Sequence, residues 1–152
     1  NRIPYGVDLI QKYKRESWIV FTENKKQAKE FNKIINTKGF KSALYNTDLD
    51  STERLENLNK FKKADLNVLV TCTALDEGFD MPEADGALIL SASSSKRQRV
   101  QRMGRVLRIT ENKPNALIVT VYSSKTEFDK LMEEAKRYHK EGVPVSWKRQ
   151  DR

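Results

Sequence analysis

Thirteen consecutive residues, 96–108, contain six lysines or arginines and no acidic residue. The whole chain has a formal net charge of +8, so the other 139 residues together contribute only +2. If the segment is helical, Gln101, Arg105 and Arg108 lie on one face. Arginine donates paired hydrogen bonds from a planar fork and stays charged when it is desolvated. These residue types, at this spacing, are suited to binding a polyphosphate.

The arginine pair has a specific chemical use. Arg105 and Arg108 are one helical turn apart and could hold a terminal phosphate while charge moves during its transfer. An arginine in that position accelerates phosphoryl transfer about a thousandfold or more, which corresponds to about 4 kcal/mol. Gly104 costs about 1 kcal/mol relative to alanine inside a helix, so the backbone approaches something there or the helix ends. The competing interpretation is a solvated basic face.

The order of apolar segments predicts the fold that positions this segment. Strands are predicted at residues 17–22, 42–46, 67–72, 86–91 and 115–122, and helices at 24–38, 51–63, 95–103 and 126–140. The strands are continuous apolar runs, so both faces of their sheet should be covered. The alternation of strands and helices predicts an α/β fold with a mostly parallel sheet and helices on both faces. Binding sites in such folds lie at the carboxyl ends of the strands.

Helical spacing also predicts which side chains of the first two helices face the core. They are Ala28, Phe31, Ile34 and Ile35 in the first helix, and Leu55, Leu58 and Phe61 in the second. Gly39 is expected to end the first helix, and Ser51 is expected to cap the second.

Length and composition narrow the class of protein. A chain of 152 residues with 38% apolar and 33% charged residues is expected to form one globular domain over 1–152, with 143–152 as a tail or linker. It lacks an initial methionine, a secretory signal and any apolar run long enough for a membrane span, so we expect a piece of a longer protein with no membrane partner. Cys72 is the only cysteine, which favours an intracellular, cytoplasmic or nucleoid-associated protein.

Four segments together resemble one protein family. Residues 101–108, QRMGRVLR, resemble motif VI of superfamily 2 helicases and translocases. Residues 68–85, VLVTCTALDEGFDMPEAD, resemble motif V, and residues 18–28, WIVFTENKKQA, resemble motif IV. The residues that end at Arg54 resemble the D-L-x-x-x-x-R segment of the family. Their order and spacing over 18–108 are most similar to the branch of repair helicases, restriction-enzyme motors and phage relatives.

The resemblance implies that the chain is the C-terminal RecA-like lobe of a two-lobe motor. The sequence has no phosphate-binding loop of the form G-x-x-x-x-G-K-[ST], so ATP and Mg²⁺ would be held mainly by a first lobe of the same polypeptide. By resemblance, Arg105 and Arg108 are arginine-finger candidates and Gln101 lies near the terminal phosphate. Glu77, Gly78 and Asp80 would lie near the sugar of the nucleotide, and no residue is expected to bind a metal. This lobe alone is predicted to be inactive.

The resemblance also implies a nucleic-acid track on this lobe. The track candidates follow the first and third strands or belong to motif VI: Thr22, Asn24, Lys25, Thr71, Thr73 and Arg102. Cys72 and Thr47 depart from the family, since many relatives have a threonine and a glycine there. DNA is the favoured polymer because of the motif VI neighbourhood, although the residues themselves do not distinguish DNA from RNA.

Other interpretations remain for the basic residues and the aromatic ones. A stand-alone nucleic-acid-binding module without a motor role would explain the charge, but not the spacing of Gln101, Arg105 and Arg108. The lysines of the first predicted helix, residues 24–38, are expected to form an outer solvated face. Trp18 begins a core strand, so packing is favoured over base stacking. A dinucleotide-binding enzyme is disfavoured because G-x-G-x-x-G does not follow the first strand.

Overall fold

The computed structural model describes residues 2–13, 16–46, 49–72, 84–90 and 117–121, together with residues 129, 132, 133 and 136. In chain order its elements are α1 (Arg2–Lys12), β1 (Trp18–Phe21), α2 (Lys25–Thr37), β2 (Ser42–Leu44), α3 (Ser51–Lys62), β3 (Val68–Thr71), β4 (Gly86–Ile89) and β5 (Leu117–Thr120). The predicted helices at 95–103 and 126–140 lie outside the described residues, except that 129, 132, 133 and 136 are helical.

The five strands form a single sheet in the order β2-β3-β1-β4-β5, and every described pair is parallel. Each predicted strand is present, with ends that differ by one or two residues. Residues 1–121 make up one compact unit and residues 122–152 a second. No helix in the described ranges is long and apolar enough to cross a membrane. The predicted parallel α/β sheet is therefore confirmed.

Helices cover both faces of the sheet, as the continuous apolar strands predict. Side chains alternate along β1, so Trp18 and Val20 pack against α1 and α2, whereas Ile19 and Phe21 pack on the α3 side. The apolar residues of β3 and β4 are divided in the same way. One core cluster therefore lies on each face of the sheet.

Helix α1 was not predicted from the sequence, although it supplies a large part of one core. Ile3, Val7 and Ile10 are buried, and their spacing of four and three residues is the helical pattern that sequence reasoning missed. Gly6 allows α1 to approach closely, because a Cβ atom there would lie 3.0 Å from Cδ2 of Leu88. The same Cβ would lie 3.1 Å from the ring of Phe31.

Three details of the predicted helices were wrong. Ile34 and Leu55 were expected to face the core, but they are 37% and 58% exposed. Each lies about 100° around its helix from the buried stripe, on the solvent side. Asp50 caps α3 instead of Ser51, and its carboxylate accepts a hydrogen bond from the Thr52 amide at 3.4 Å. The remaining predicted inward residues of α2 and α3 are buried.

The ends of α2 and α3 provide a prediction about stability. Gly39 follows α2 with φ of 91°, and Ala64 occupies the corresponding position after α3 with φ of 64°. In both cases the amide of the following residue donates a hydrogen bond to the carbonyl oxygen five residues earlier. The N–O distance is 3.4 Å for the Phe40 amide and 2.9 Å for the Asp65 amide. A left-handed backbone conformation costs a residue with a side chain about 1 kcal/mol more free energy than it costs glycine.

We therefore expect Ala64→Gly to raise the free energy of unfolding by about 0.5 kcal/mol, after the entropy of the unfolded glycine is subtracted. Gly39→Ala is the matched control and should lower that free energy by about 1 kcal/mol. Urea unfolding of both variants measures the two changes. If both substitutions shift stability in the same direction, backbone strain does not govern these helix ends.

Candidate functional site

The described residues include three buried polar side chains, and all three lie at the carboxyl ends of strands. Thr22 follows β1, Asn46 lies two residues beyond β2, and Thr71 ends β3. Each is 1% exposed or less. Because the strands are parallel and neighbouring, their carboxyl ends meet at one edge of the sheet. We refer to Thr22, Asn46 and Thr71 as the carboxyl-edge cluster.

Asn46 joins two strands of this edge. Its Oδ1 atom accepts a hydrogen bond from the backbone amide of Cys72 at 3.0 Å, across 26 residues of sequence. Its Nδ2 atom is buried and has no hydrogen-bond partner among the described residues. Sequence reasoning did not select Asn46 as a site residue. The available signal was an amide side chain directly after a strand, where ligands of parallel sheets bind.

The two threonines of the cluster differ in how their hydroxyl groups are used. Thr22 Oγ1 lies 3.2 Å from the carbonyl oxygen of Asn24 and 3.2 Å from that of Thr71, so its single hydrogen is donated to the main chain. Thr71 Oγ1 is fully buried and makes no hydrogen bond within the described part of the chain. Of these two threonines, Thr71 is therefore the one whose hydroxyl donor is unused within the described residues.

Arg54 extends the cluster from the neighbouring helix. It precedes Leu58 and Phe61 by four and seven residues, and both are buried on the side of α3 that faces the sheet. Thr71 is two residues after Leu69, which packs on that same face of the sheet. Arg54 Nε is buried without a partner among the described residues. The side chain is therefore placed on the α3 side, in the first turn of the helix that follows β2.

Within the described part of the chain, three donors without a partner thus belong to the elements that meet at this edge: Asn46 Nδ2, Arg54 Nε and Thr71 Oγ1. A buried donor without an acceptor costs about 1–3 kcal/mol. Such groups are rare in folded proteins and require a specific explanation, of which an absent ligand is one. Since all three groups can donate a hydrogen bond, a ligand with several acceptor oxygens, such as a phosphate, would pair with them.

The turn from β1 to α2 brings a helix amino end to the same edge. Asn24 caps α2, and its Oδ1 atom accepts a hydrogen bond from the Gln27 amide at 2.8 Å. Gln27 Oε1 in turn accepts from the Glu23 amide at 2.7 Å. Lys25 is the first residue of the helix and is exposed. Backbone amides at a helix amino end attract anions, and the lysine adds a positive charge beside them.

The remaining predicted site residues lie outside the described residues: Thr73, Glu77, Gly78, Asp80, Gln101, Arg102, Arg105 and Arg108. Their assignments stay predictions. In the ranges that the structure describes, no group of three or more histidine, cysteine, aspartate or glutamate side chains could hold a metal ion.

The family comparison decides what kind of domain this is. The model of the helicase conserved C-terminal domain matches residues 2–110, about seven tenths of the chain. The chain belongs to the helicase C-terminal domain family. The predicted membership of superfamily 2, as its C-terminal RecA-like lobe, is confirmed. The helicase domain match begins at α1, the helix that sequence reasoning missed, and ends two residues beyond Arg108.

Several curated helicase relatives are similar to the domain. The DNA 3'-5' translocase XPB2 of Sulfurisphaera tokodaii is 36% identical over 119 residues, covering 78% of this chain and 26% of the relative. UvrABC system protein B of Fusobacterium nucleatum is 31% identical over 120 residues, covering 74% and 18%. The ATP-dependent rRNA helicase RRP3 of Scheffersomyces stipitis is 25% identical over 118 residues, covering 78% and 24%. The helicase domain therefore spans about a quarter or less of these proteins.

Solved structures show the same fold. The C-terminal domain of S. cerevisiae Dbp5, solved with Gle1 and IP6, superposes with a TM-score of 0.72 at 19% identity, covering 91% of this chain and 78% of that one. The Pyrococcus furiosus Hef helicase domain superposes with a TM-score of 0.58 at 22% identity, covering 86% and 27%. The predicted RecA-like fold of the helicase domain is confirmed.

Proposed function

We propose that this domain is the second motor lobe of an ATP-dependent DNA helicase or translocase, with a first RecA-like lobe in the same polypeptide. The observation that carries the proposal is the set of unused donors at the carboxyl edge of a helicase C-terminal domain. DNA is favoured because the motif VI neighbourhood resembles DNA motors. The 36% identity to a DNA translocase supports the same choice. We further propose that the protein acts in the cytoplasm or at the nucleoid, as the single cysteine favours.

The nucleotide side of the proposal rests on motif VI. Bound ATP supplies the phosphoanhydride bond that is hydrolysed, with Mg²⁺ held mainly by the first lobe. The guanidinium groups of Arg105 and Arg108 would contact the terminal phosphate and stabilise the charge that develops on it. Gln101 would lie beside that phosphate or the attacking water. These residues are assigned by their motif.

Motif V would join the nucleotide to the track. Glu77, Gly78 and Asp80 are proposed to contact the sugar side of the nucleotide. Motif V also contains β3, whose carboxyl end is Thr71. A change at the nucleotide would therefore act on the strand end that carries an unused donor.

The track side gains two residues from the structure. We assign Asn46 and Arg54 to the backbone contacts, beside the six candidates that the sequence suggests: Thr22, Asn24, Lys25, Thr71, Thr73 and Arg102. A phosphate oxygen would accept from the buried donors and remove their desolvation cost. Contacts of this kind position the strand without reading its sequence.

Thr71→Val tests whether the unused hydroxyl serves a ligand. Valine has nearly the same shape and removes a buried donor that has no partner in the described structure. We expect the free energy of unfolding to rise by about 1 kcal/mol, while nucleic-acid affinity of the full-length protein falls about tenfold. Urea unfolding and fluorescence anisotropy with a labelled oligonucleotide measure the two effects.

Thr22→Val is the matched comparison for stability at the same edge. Its hydroxyl is bonded to the main chain, so this substitution should lower the free energy of unfolding by about 1 kcal/mol. The opposite signs of the two stability changes would distinguish a bonded hydroxyl from an unused one. If Thr71→Val leaves nucleic-acid affinity unchanged, the hydroxyl does not contact the track.

A further inference from the structure

Apart from Asn24 and Lys25, a second basic segment has no role in the function proposed so far. Residues 24–42 contain six lysines and one acidic residue, a net charge of +5. Residues 96–108 add +6, so the other 120 residues of the chain sum to −3. These two segments together carry +11, more than the net charge of the whole chain. Of these two segments, motif VI explains only residues 96–108.

Three of these six lysines lie on the outer face of α2. Lys26, Lys29 and Lys33 follow one another at intervals of three and four residues, so they lie along one side of the helix, and all are exposed. The opposite side of α2 is buried in the core through Ala28, Phe31 and Ile35. At 1.5 Å per residue, the three lysines extend over about 10 Å. We call Lys26, Lys29 and Lys33 the α2 lysine row.

Helix α3 shows that this charge exceeds what solvation of a surface helix requires. Residues 50–65, which contain α3 and its caps, carry four basic and four acidic residues and no net charge. One of these pairs, Lys60 and Glu56, forms an ion pair at 3.4 Å. Both helices cover the same sheet and expose one face. A surface without net charge is therefore sufficient to keep the outer face of α3 solvated. By contrast, Glu30 is the only acidic residue within α2.

We propose that the α2 lysine row binds the phosphodiester backbone of the nucleic acid, beyond the contacts at the carboxyl edge. This inference rests on the proposed function, since it extends the same track. Helix α2 begins at that edge, where Asn24 caps it directly after Thr22 and Glu23, so the row continues from the track residues along the helix. A strand of duplex carries one phosphate per 3.4 Å, so a row of about 10 Å spans about three phosphates.

The chemistry of the row favours phosphates over other anionic surfaces. A membrane-surface helix inserts its apolar face, but the apolar face of α2 is buried against the sheet. The centres of protein interfaces are enriched in aromatic residues and depleted in lysine. Ile34 is the large hydrophobic residue that α2 exposes, at 37%, and it lies to the side of the row. Purely electrostatic contact with a phosphate backbone requires only the charges that are present.

A matched pair of triple variants tests the row. The first carries Lys26→Gln, Lys29→Gln and Lys33→Gln in the full-length protein. The control carries Lys60→Gln, Lys62→Gln and Lys63→Gln, which removes the same charge from the exposed surface at the end of α3. Binding to a labelled DNA is measured over a range of salt concentrations. Lys25 is kept in both variants, because it belongs to the proposed track.

We expect the α2 variant to reduce the slope of log affinity against log salt by about 2 to 3, since each lost phosphate contact removes about 0.7–0.9. The α3 control should keep the slope of the wild type. Equal slopes in all three proteins, or an equal reduction in both variants, would overturn the inference while leaving the carboxyl-edge track intact. Absence of DNA and RNA binding by the wild type would instead refute the proposed function itself. Thermal unfolding of both variants verifies that they are folded.

Discussion

Replacing Arg105 or Arg108 by alanine is expected to reduce nucleic-acid-stimulated ATP hydrolysis by the full-length protein about a thousandfold. The physical reason is the loss of a fixed positive charge at the phosphate on which negative charge accumulates during transfer. A thousandfold change corresponds to about 4 kcal/mol in the activation free energy. Steady-state hydrolysis in the presence of DNA, and separately of RNA, measures the change. The polymer that stimulates hydrolysis more strongly identifies the track.

Binding and hydrolysis must be measured together to interpret this experiment. Arginine fingers act on the nucleotide, so we expect nucleic-acid affinity to survive both substitutions. Arg99→Ala is a matched control, because it removes one positive charge from the same basic segment. The isolated 152-residue chain should not hydrolyse ATP. Unchanged hydrolysis with weakened binding would instead favour a stand-alone nucleic-acid-binding module.

Gly86→Ala is expected to lower the free energy of unfolding by about 2–3 kcal/mol, although it adds only one methyl group. Gly86 pairs with Trp18 in the parallel register of β1 and β4. A Cβ atom at position 86 would lie 2.7 Å from Cε3, 2.8 Å from Cζ3 and 3.0 Å from Cδ2 of the Trp18 ring. Trp18 is 1% exposed and packs in the core with α1 and α2, so its ring has no free space to move into. Urea unfolding measures the loss.

A double-mutant cycle with Trp18→Leu tests the cause of this loss. Leucine removes the ring that the new methyl group would meet. In that background Gly86→Ala should cost less than about 0.5 kcal/mol, because the contact is absent and alanine restricts the unfolded chain. Equal costs in both backgrounds would show that Trp18 is not the obstacle. The packing of Trp18 against Gly86 confirms the core position that the sequence favoured for this tryptophan.

The parallel sheet could be predicted because each strand is a continuous apolar run, and such strands are buried on both faces. The details of the helices were less predictable. Helical spacing predicts the buried face of a helix only to about one residue, which is 100° around the helix axis. The neighbouring element decides how the helix is rotated about that axis. Ile34 and Leu55 therefore satisfied the pattern and still face solvent. Helix α1 was missed although Ile3, Val7 and Ile10 have helical spacing, because three apolar positions make a short periodic pattern.

Local sequence was sufficient to identify the family and to suggest the motif VI arginines, because each motif consists of residues that are neighbours in the chain. It also located the carboxyl ends of the strands, where the candidate track residues lie. The roles of the individual side chains at that edge depended on partners distant in the chain. Thr22 is bonded to the carbonyl group of Thr71, 49 residues away. Thr71 itself keeps an unused hydroxyl.

The tertiary structure added Asn46 to the candidate site, and it gave a candidate role to Arg54, which the sequence marked only as the end of a family motif. Their donors without a partner among the described residues become visible when β2, β3 and α3 are packed together. The sequence by itself determined the five strands, the helices α2 and α3, the charge segments and the motifs. The tertiary structure decided which polar groups are buried and which remain without a partner. The physical reason is that burial and hydrogen-bond satisfaction depend on contacts between strands 26–49 residues apart, which no local pattern specifies.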